Sequence, residues 1–194
     1  MRKRVSAVVL GALLGLVLVG CHAAEDDPEG QAEELHDPVR RENAISNLTT
    51  IYTQALSCCE KKEDENGQEV CVACERSDPQ VKKIADQIVD DLVKVYIENP
   101  EDTHNGQKIL DLLKEMQDPR SIDALVAALD WRTEVSEEHA IRAAQTLQRM
   151  EIPKDKVGSV VDALSKALEK IDGARAVDNR MRIELLRALG SIGD

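Results

Sequence analysis

The sequence predicts an all-α fold, a short α-solenoid of antiparallel helix pairs, from three observations. The first is an internal repeat: IDALVAAL, beginning at Ile122, returns as VDALSKAL at Val161, an offset of 39 residues. A later stretch repeats as well, with Ile141, Leu147 and Met150 aligning with Ile183, Leu189 and Ile192 at an offset of 42. Helix pairs that recur at about 40 residues mark a stacked array. The second is period: Ile122, Leu125, Val126 and Leu129 are spaced i, i+3, i+4, i+7 and share one helix face. The third is composition, because 2% aromatic content with no Phe leaves the core to Leu, Ile, Val and Ala. These residues suit close helix packing, whereas a β-sandwich draws on aromatic and β-branched side chains. A lone helix pair has too little apolar area to offset its ordering entropy, so each pair must stack on the next.

Taken from the start, residues 1–20 form a targeting segment. Met1-Arg-Lys-Arg4 is cationic, residues 5–19 are apolar and Leu18-Val-Gly-Cys21 closes the run. That run is shorter than the roughly 20 residues needed to span a bilayer. The segment closely resembles the bacterial lipoprotein signal, whose box of small residues ends on a Cys. The resemblance implies that residues 1–20 are removed and that Cys21 carries acyl chains such as palmitate, which anchor the protein to a membrane. Two or more chains hold a protein stably, at about 0.8 kcal/mol for each buried methylene. His22 stands where the family's inner-membrane retention signal has Asp, which implies the outer membrane, facing the periplasm. Residues 21–37 are rich in Asp, Glu and Gly, include Pro28 and lack helical period. They read as a flexible acidic tether that stands the domain off the lipid.

Residues 38–194 carry the helical domain. A first helix is expected from Pro38, with Asp37 as its cap, and its stripe is Ile45, Leu48, Tyr52, Ala55 and Leu56. Asp78-Pro79 opens a helix over 79–98 that buries Val81, Ile84, Ala85, Ile88, Leu92, Val95 and Tyr96. Asn99-Pro100 ends it, since proline excludes helical geometry from the residue before it. Further helices are expected over 104–116, 120–130, 136–150, 154–171 and 177–190. The natural pairs are 79–98 with 104–116, 120–130 with 136–150, and 154–171 with 177–190, with the first helix as a polar N-terminal cap. The last helix, with Leu185, Leu189 and Ile192, has nothing after it to cover it, which points to a partner or to self-association there. Met116-Gln-Asp-Pro-Arg-Ser-Ile-Asp-Ala-Leu125 and Leu186-Arg-Ala-Leu-Gly-Ser-Ile-Gly-Asp194 resemble the helix turns of HEAT repeats, over residues 37–194. That resemblance implies a HEAT/armadillo-like superhelix serving as a protein-binding scaffold.

A Cys-rich insertion, residues 57–77, interrupts the helices with Cys58, Cys59, Cys71 and Cys74. Outside the cytoplasm such thiols form disulfides, and adjacent Cys58 and Cys59 would strain a bond between them, so each is expected to pair with Cys71 or Cys74. Zinc binding by four thiols and a redox role for the CxxC are the alternative readings. A haem site fails because Glu75 follows Cys74, and a calcium loop fails because Lys62 and Ala73 fall where acids are required. The loop between the cysteine pairs reads as a solvated acidic hairpin.

The formal net charge of −12 and the dearth of aromatics disfavour nucleic acid as a partner. His22, His36, His104 and His139 have no metal-binding spacing, and His139, flanked by Glu137 and Glu138, reads as a solvated first-turn residue. No phosphate loop or nucleophile elbow is present, so the sequence suggests neither enzyme, cofactor nor metal. Arg142, Arg149, Arg180, Arg182 and Arg187 lie on second helices, which line the inner surface in the repeats this chain resembles. Arg142, Arg149 and Arg187 are candidate contacts to an acidic protein partner. The competing reading pairs these arginines with Asp and Glu of neighbouring repeats, such as Asp118, Asp123 and Asp162. The functional expectation is a membrane-anchored, non-catalytic scaffold, with a thiol-redox or zinc lipoprotein and a HEAT-like lyase as alternatives.

Overall fold

Three Asp-Pro steps stand at helix starts, Asp27-Pro28, Asp78-Pro79 and Asp118-Pro119, because proline has no N–H to lose in a first turn; of the three aspartates, Asp118 also caps its turn through its side chain. The computed structural model describes residues 23–58, 60–130, 134–173 and 179–192. Within them eight α-helices run in order: α1 (Pro28–Glu34), α2 (Arg41–Ser57), α3 (Pro79–Glu98), α4 (Thr103–Met116), α5 (Ile122–Ala128), α6 (Glu134–Leu147), α7 (Val157–Gly173) and α8 (Asn179–Ile192). One antiparallel hairpin, β1 (Glu60–Glu63) and β2 (Glu69–Val72), separates α2 from α3.

The helices make two rows. Consecutive helices pair, α1 with α2, α3 with α4, α5 with α6 and α7 with α8. Alternate helices also touch, so that α1, α3, α5 and α7 form one row and α2, α4, α6 and α8 the other. The stripes read from the sequence face the space between the rows: Ile122, Leu125, Leu147 and Leu164 are buried. Each such leucine contributes roughly 1.5–3 kcal/mol by leaving water. The interior divides into a cluster over α1 to α4, with Leu48, Tyr52, Ile88 and Leu113, and another over α4 to α8, with Leu125, Ala144, Leu164 and Leu185. Tyr96 packs against both clusters and so joins them.

Three expectations change. Residues 28–35, expected within a flexible tether, instead hold helix α1, which buries Gln31, Ala32 and Leu35 against α2 and α3. Period alone hides it, because the helix has seven residues and one of its buried side chains is an amide. The described residues therefore hold four helix pairs, and α2 is the partner of α1 rather than an isolated cap. Second, α2 begins at Arg41 and not at Pro38. Asp37 does accept the Val39 amide, but the turn it closes precedes the helix. Third, Leu186 is 50% exposed, unlike the other repeat leucines.

Other boundaries follow from local chemistry. A short 3-10 turn, Pro119–Ser121, precedes α5, with the Asp118 carboxylate accepting the Arg120 N–H at 2.9 Å. α4 ends on Gln117, whose φ of 50° is left-handed, a conformation that favours glycine. No helix among the described residues is long and apolar enough to cross a membrane.

Candidate functional site

Ion pairs join each helix pair to the next along both rows. In the α2, α4, α6, α8 row, Arg41 donates to Asp102 at 2.8 Å, Lys108 to Glu42 at 2.7 Å and Arg180 to Glu138 at 3.2 Å. Arg142 meets Asp111 across the α4–α6 joint. In the other row, His36 meets Asp91, Arg120 meets Asp86, Lys156 meets Asp123 and Lys170 meets Asp130. Contacts from Lys108 and His104 hold the Glu42 carboxyl below its usual value. Burial opposes ionisation of Asp118, but hydrogen bonds from Arg120 outweigh it and lower its pKa. The exposed pairs contribute little each, about 0–1 kcal/mol, so they set register more than stability, whereas Arg41 is buried and also donates to the Leu35 carbonyl.

These pairs fix the positions of the candidate arginines. Arg142 bonds to Asp111 of the preceding pair and Arg187 to Glu184 of its own helix at 2.9 Å, while Arg149 is exposed in the turn that follows α6. The structure does not gather the three into one unpaired cluster. Of the acidic partners the sequence suggested, Asp118 bonds to Arg120 and Asp123 to Lys156.

The second row carries a cleft of about 450 Å³ between α2 and α4. Ile45 and Leu112 form its apolar floor, Ser46, Thr49 and Thr50 line one wall, and Lys108, Asp111, Lys114 and Glu115 the other. The Thr49 and Thr50 hydroxyls donate back to the Ile45 and Ser46 carbonyls, which leaves their lone pairs facing the cleft as acceptors. Mixed charge over an apolar floor suits a polypeptide segment more than a single small anion.

His139 corrects its expectation. It is 5% exposed, its Nε2 donates to the Thr103 carbonyl at 3.0 Å, and its Nδ1 accepts from the Tyr96 hydroxyl at 3.1 Å. Burial, with Arg142 nearby, pushes its pKa below 6.5, and burial raises the Tyr96 pKa. Gly106 makes room for the pair, since a Cβ there would come within 3.0 Å of the imidazole. The repeat register does not reveal this: the 42-residue offset aligns His139 with buried Met181, but it also aligns buried Ala140, Ile141 and Ala144 with exposed Arg182, Ile183 and Leu186.

In the insertion, Asp64 Oδ1 accepts the Asn66 and Gln68 amides at 2.8 Å, and Gly67 takes φ 75°, so the tip closes tightly. The hairpin is exposed and polar, as expected. Cys58 and Cys71 form a disulfide, and Cys74 is disulfide-bonded as well. Sulfurs bonded in this way are not thiolate ligands, so the zinc reading loses its donors. Cys21, Cys59 and Trp131 lie outside the described residues. The chain matches no family model, and no curated protein or solved structure matches it significantly.

Proposed function

We propose that this protein is a non-catalytic interaction scaffold of the bacterial cell envelope. In this reading it is a HEAT-like solenoid, lipid-anchored through Cys21 in the outer membrane and facing the periplasm. The observation that carries the proposal is the double row of helices, in which each pair contacts the next through both of its helices. Arrays built in this way extend a surface rather than enclose a cavity, and their usual use is to bind another polypeptide. The α2–α4 cleft is the preferred contact, with its apolar floor and charged rim. Lipid anchoring would confine the surface to one leaflet and raise its effective concentration near envelope partners. The resemblances of the signal segment and of the helix turns support the anchor and the family reading respectively.

Photo-cross-linking in intact cells tests it. A benzophenone amino acid at Thr50, in the cleft, should give discrete protein adducts, and one at Lys83, on the exposed side of α3, should not. Equal or absent adducts at both positions would contradict the scaffold.

A further inference from the structure

The first described residues are bound to the body of the fold. The Ala23 N–H donates to Glu34 Oε1 at 3.0 Å, and the buried Gln31 amide donates to the Ala24 carbonyl at 3.0 Å and the Ala23 carbonyl at 3.4 Å. Gln31 is itself held by Asn47 of α2, which donates to its Oε1 at 3.1 Å. Gly30 completes the seat, because a Cβ there would lie 2.7 Å from the Ala23 Cβ and 2.6 Å from Asp27 Oδ2. No slack therefore remains between residue 23 and α1.

One residue, His22, separates Ala23 from Cys21. Fully extended, the two residue steps from Cys21 to Ala23 reach about 7 Å, the thickness of one headgroup layer. Ala23 shares one cleft with Val39, at the turn between α1 and α2. Val39 is 88% exposed, the most exposed of the large apolar side chains, and Pro38 beside it is exposed too. An apolar tip thus stands beside the point where the chain leaves for its anchor.

We propose that the α1–α2 end of the molecule lies directly against the lipid surface, with Pro38 and Val39 entering the headgroup region and the helix rows extending away from it. The proposal rests on the acylation of Cys21. It replaces a swinging domain with one held at a fixed end, which presents α3 to α8 to the aqueous side. The surface chemistry is zwitterionic: Glu25, Asp26, Asp27 and Glu29 sit at this end, and anionic headgroups would repel them.

The test uses the acylated full-length mature protein in phosphatidylcholine vesicles containing lipid brominated near the headgroup end of its chains. V39W and I183W are each made in a W131F background, Ile183 being exposed on the last helix. Bromine should quench the probe at 39 at least about twofold more than the probe at 183, because an inserted tip sits roughly 5–10 Å deep. Inserting ten Gly/Ser residues between His22 and Ala23, which leaves the fold untouched, should bring the two probes to equal quenching. G30A, which dislodges Ala23, should move the probe at 39 in the same direction. Equal quenching without the insertion, with Cys21 shown by mass to be acylated, overturns the orientation and leaves the anchor standing. An unmodified Cys21 overturns both.

Discussion

His139 is the residue whose environment departs furthest from its sequence neighbourhood. Its two ring nitrogens bond to Tyr96 and Thr103; the Thr103 carbonyl fixes a proton on Nε2, and in the neutral ring Nδ1 accepts from the Tyr96 hydroxyl. Arg142 on its own helix opposes protonation and Asp111 of α4 favours it, but burial is the largest influence and the pKa is lowered from 6.5. A depressed folded-state pKa means that the unfolded chain binds the proton first. The contribution is whole above pH 6.5 and is lost as pH falls below it, whereas the carboxylates with lowered pKa act nearer pH 4 and below. Urea unfolding at pH 7.5 and 5.5 should show this as a loss of stability that H139Q does not share. At Gln117, the left-handed φ of 50° predicts that Q117G gains about 0.5–1 kcal/mol, read as a rise in the urea midpoint. The sequence hides His139 because its acidic neighbours Glu137 and Glu138 suggest solvent, whereas the residues that hold it, Tyr96 and Thr103, lie 43 and 36 residues away.

Helices were legible where apolar positions repeat, and illegible where polar atoms do the packing. The apolar positions read for α3 are buried or half-buried and the repeat leucines Leu125 and Leu164 are buried, so period alone places them. α1 escapes because it has only seven residues and its apolar burial is confined to Ala32 and, just past its end, Leu35, and nothing in the sequence pairs Gln31 with Asn47 or with the Ala24 carbonyl. The joints were equally hidden, since Lys108 and Glu42 stand 66 residues apart. Two clusters meeting at Tyr96 imply graded stability. L164A should cost about 2–5 kcal/mol by cavity formation and should raise amide exchange in α5 to α8 before α1 to α3. The hairpin behaves otherwise. Reducing Cys58–Cys71 frees a loop of 13 residues, whose closure is worth at most about 3 kcal/mol. C58S/C71S should therefore loosen β1 and β2 in hydrogen exchange while the helices keep their protection.

On the scale of the whole molecule, the account depends on the order in which helix pairs meet. Charges placed one pair apart act as a ruler for that order, because a carbodiimide joins a lysine to a carboxylate only where the two already touch. The most direct measurement is therefore zero-length cross-linking of the monomer followed by peptide mass analysis. Lys108 should be found on Glu42, reporting the joint of the first and second pairs, and Lys156 on Asp123 and Lys170 on Asp130, reporting the joint of the third and fourth. Intramolecular links from Lys156 or Lys170 to acids of α1 or α2, in place of these three, would mean that the ends of the array fold together, and the stacked scaffold would be wrong.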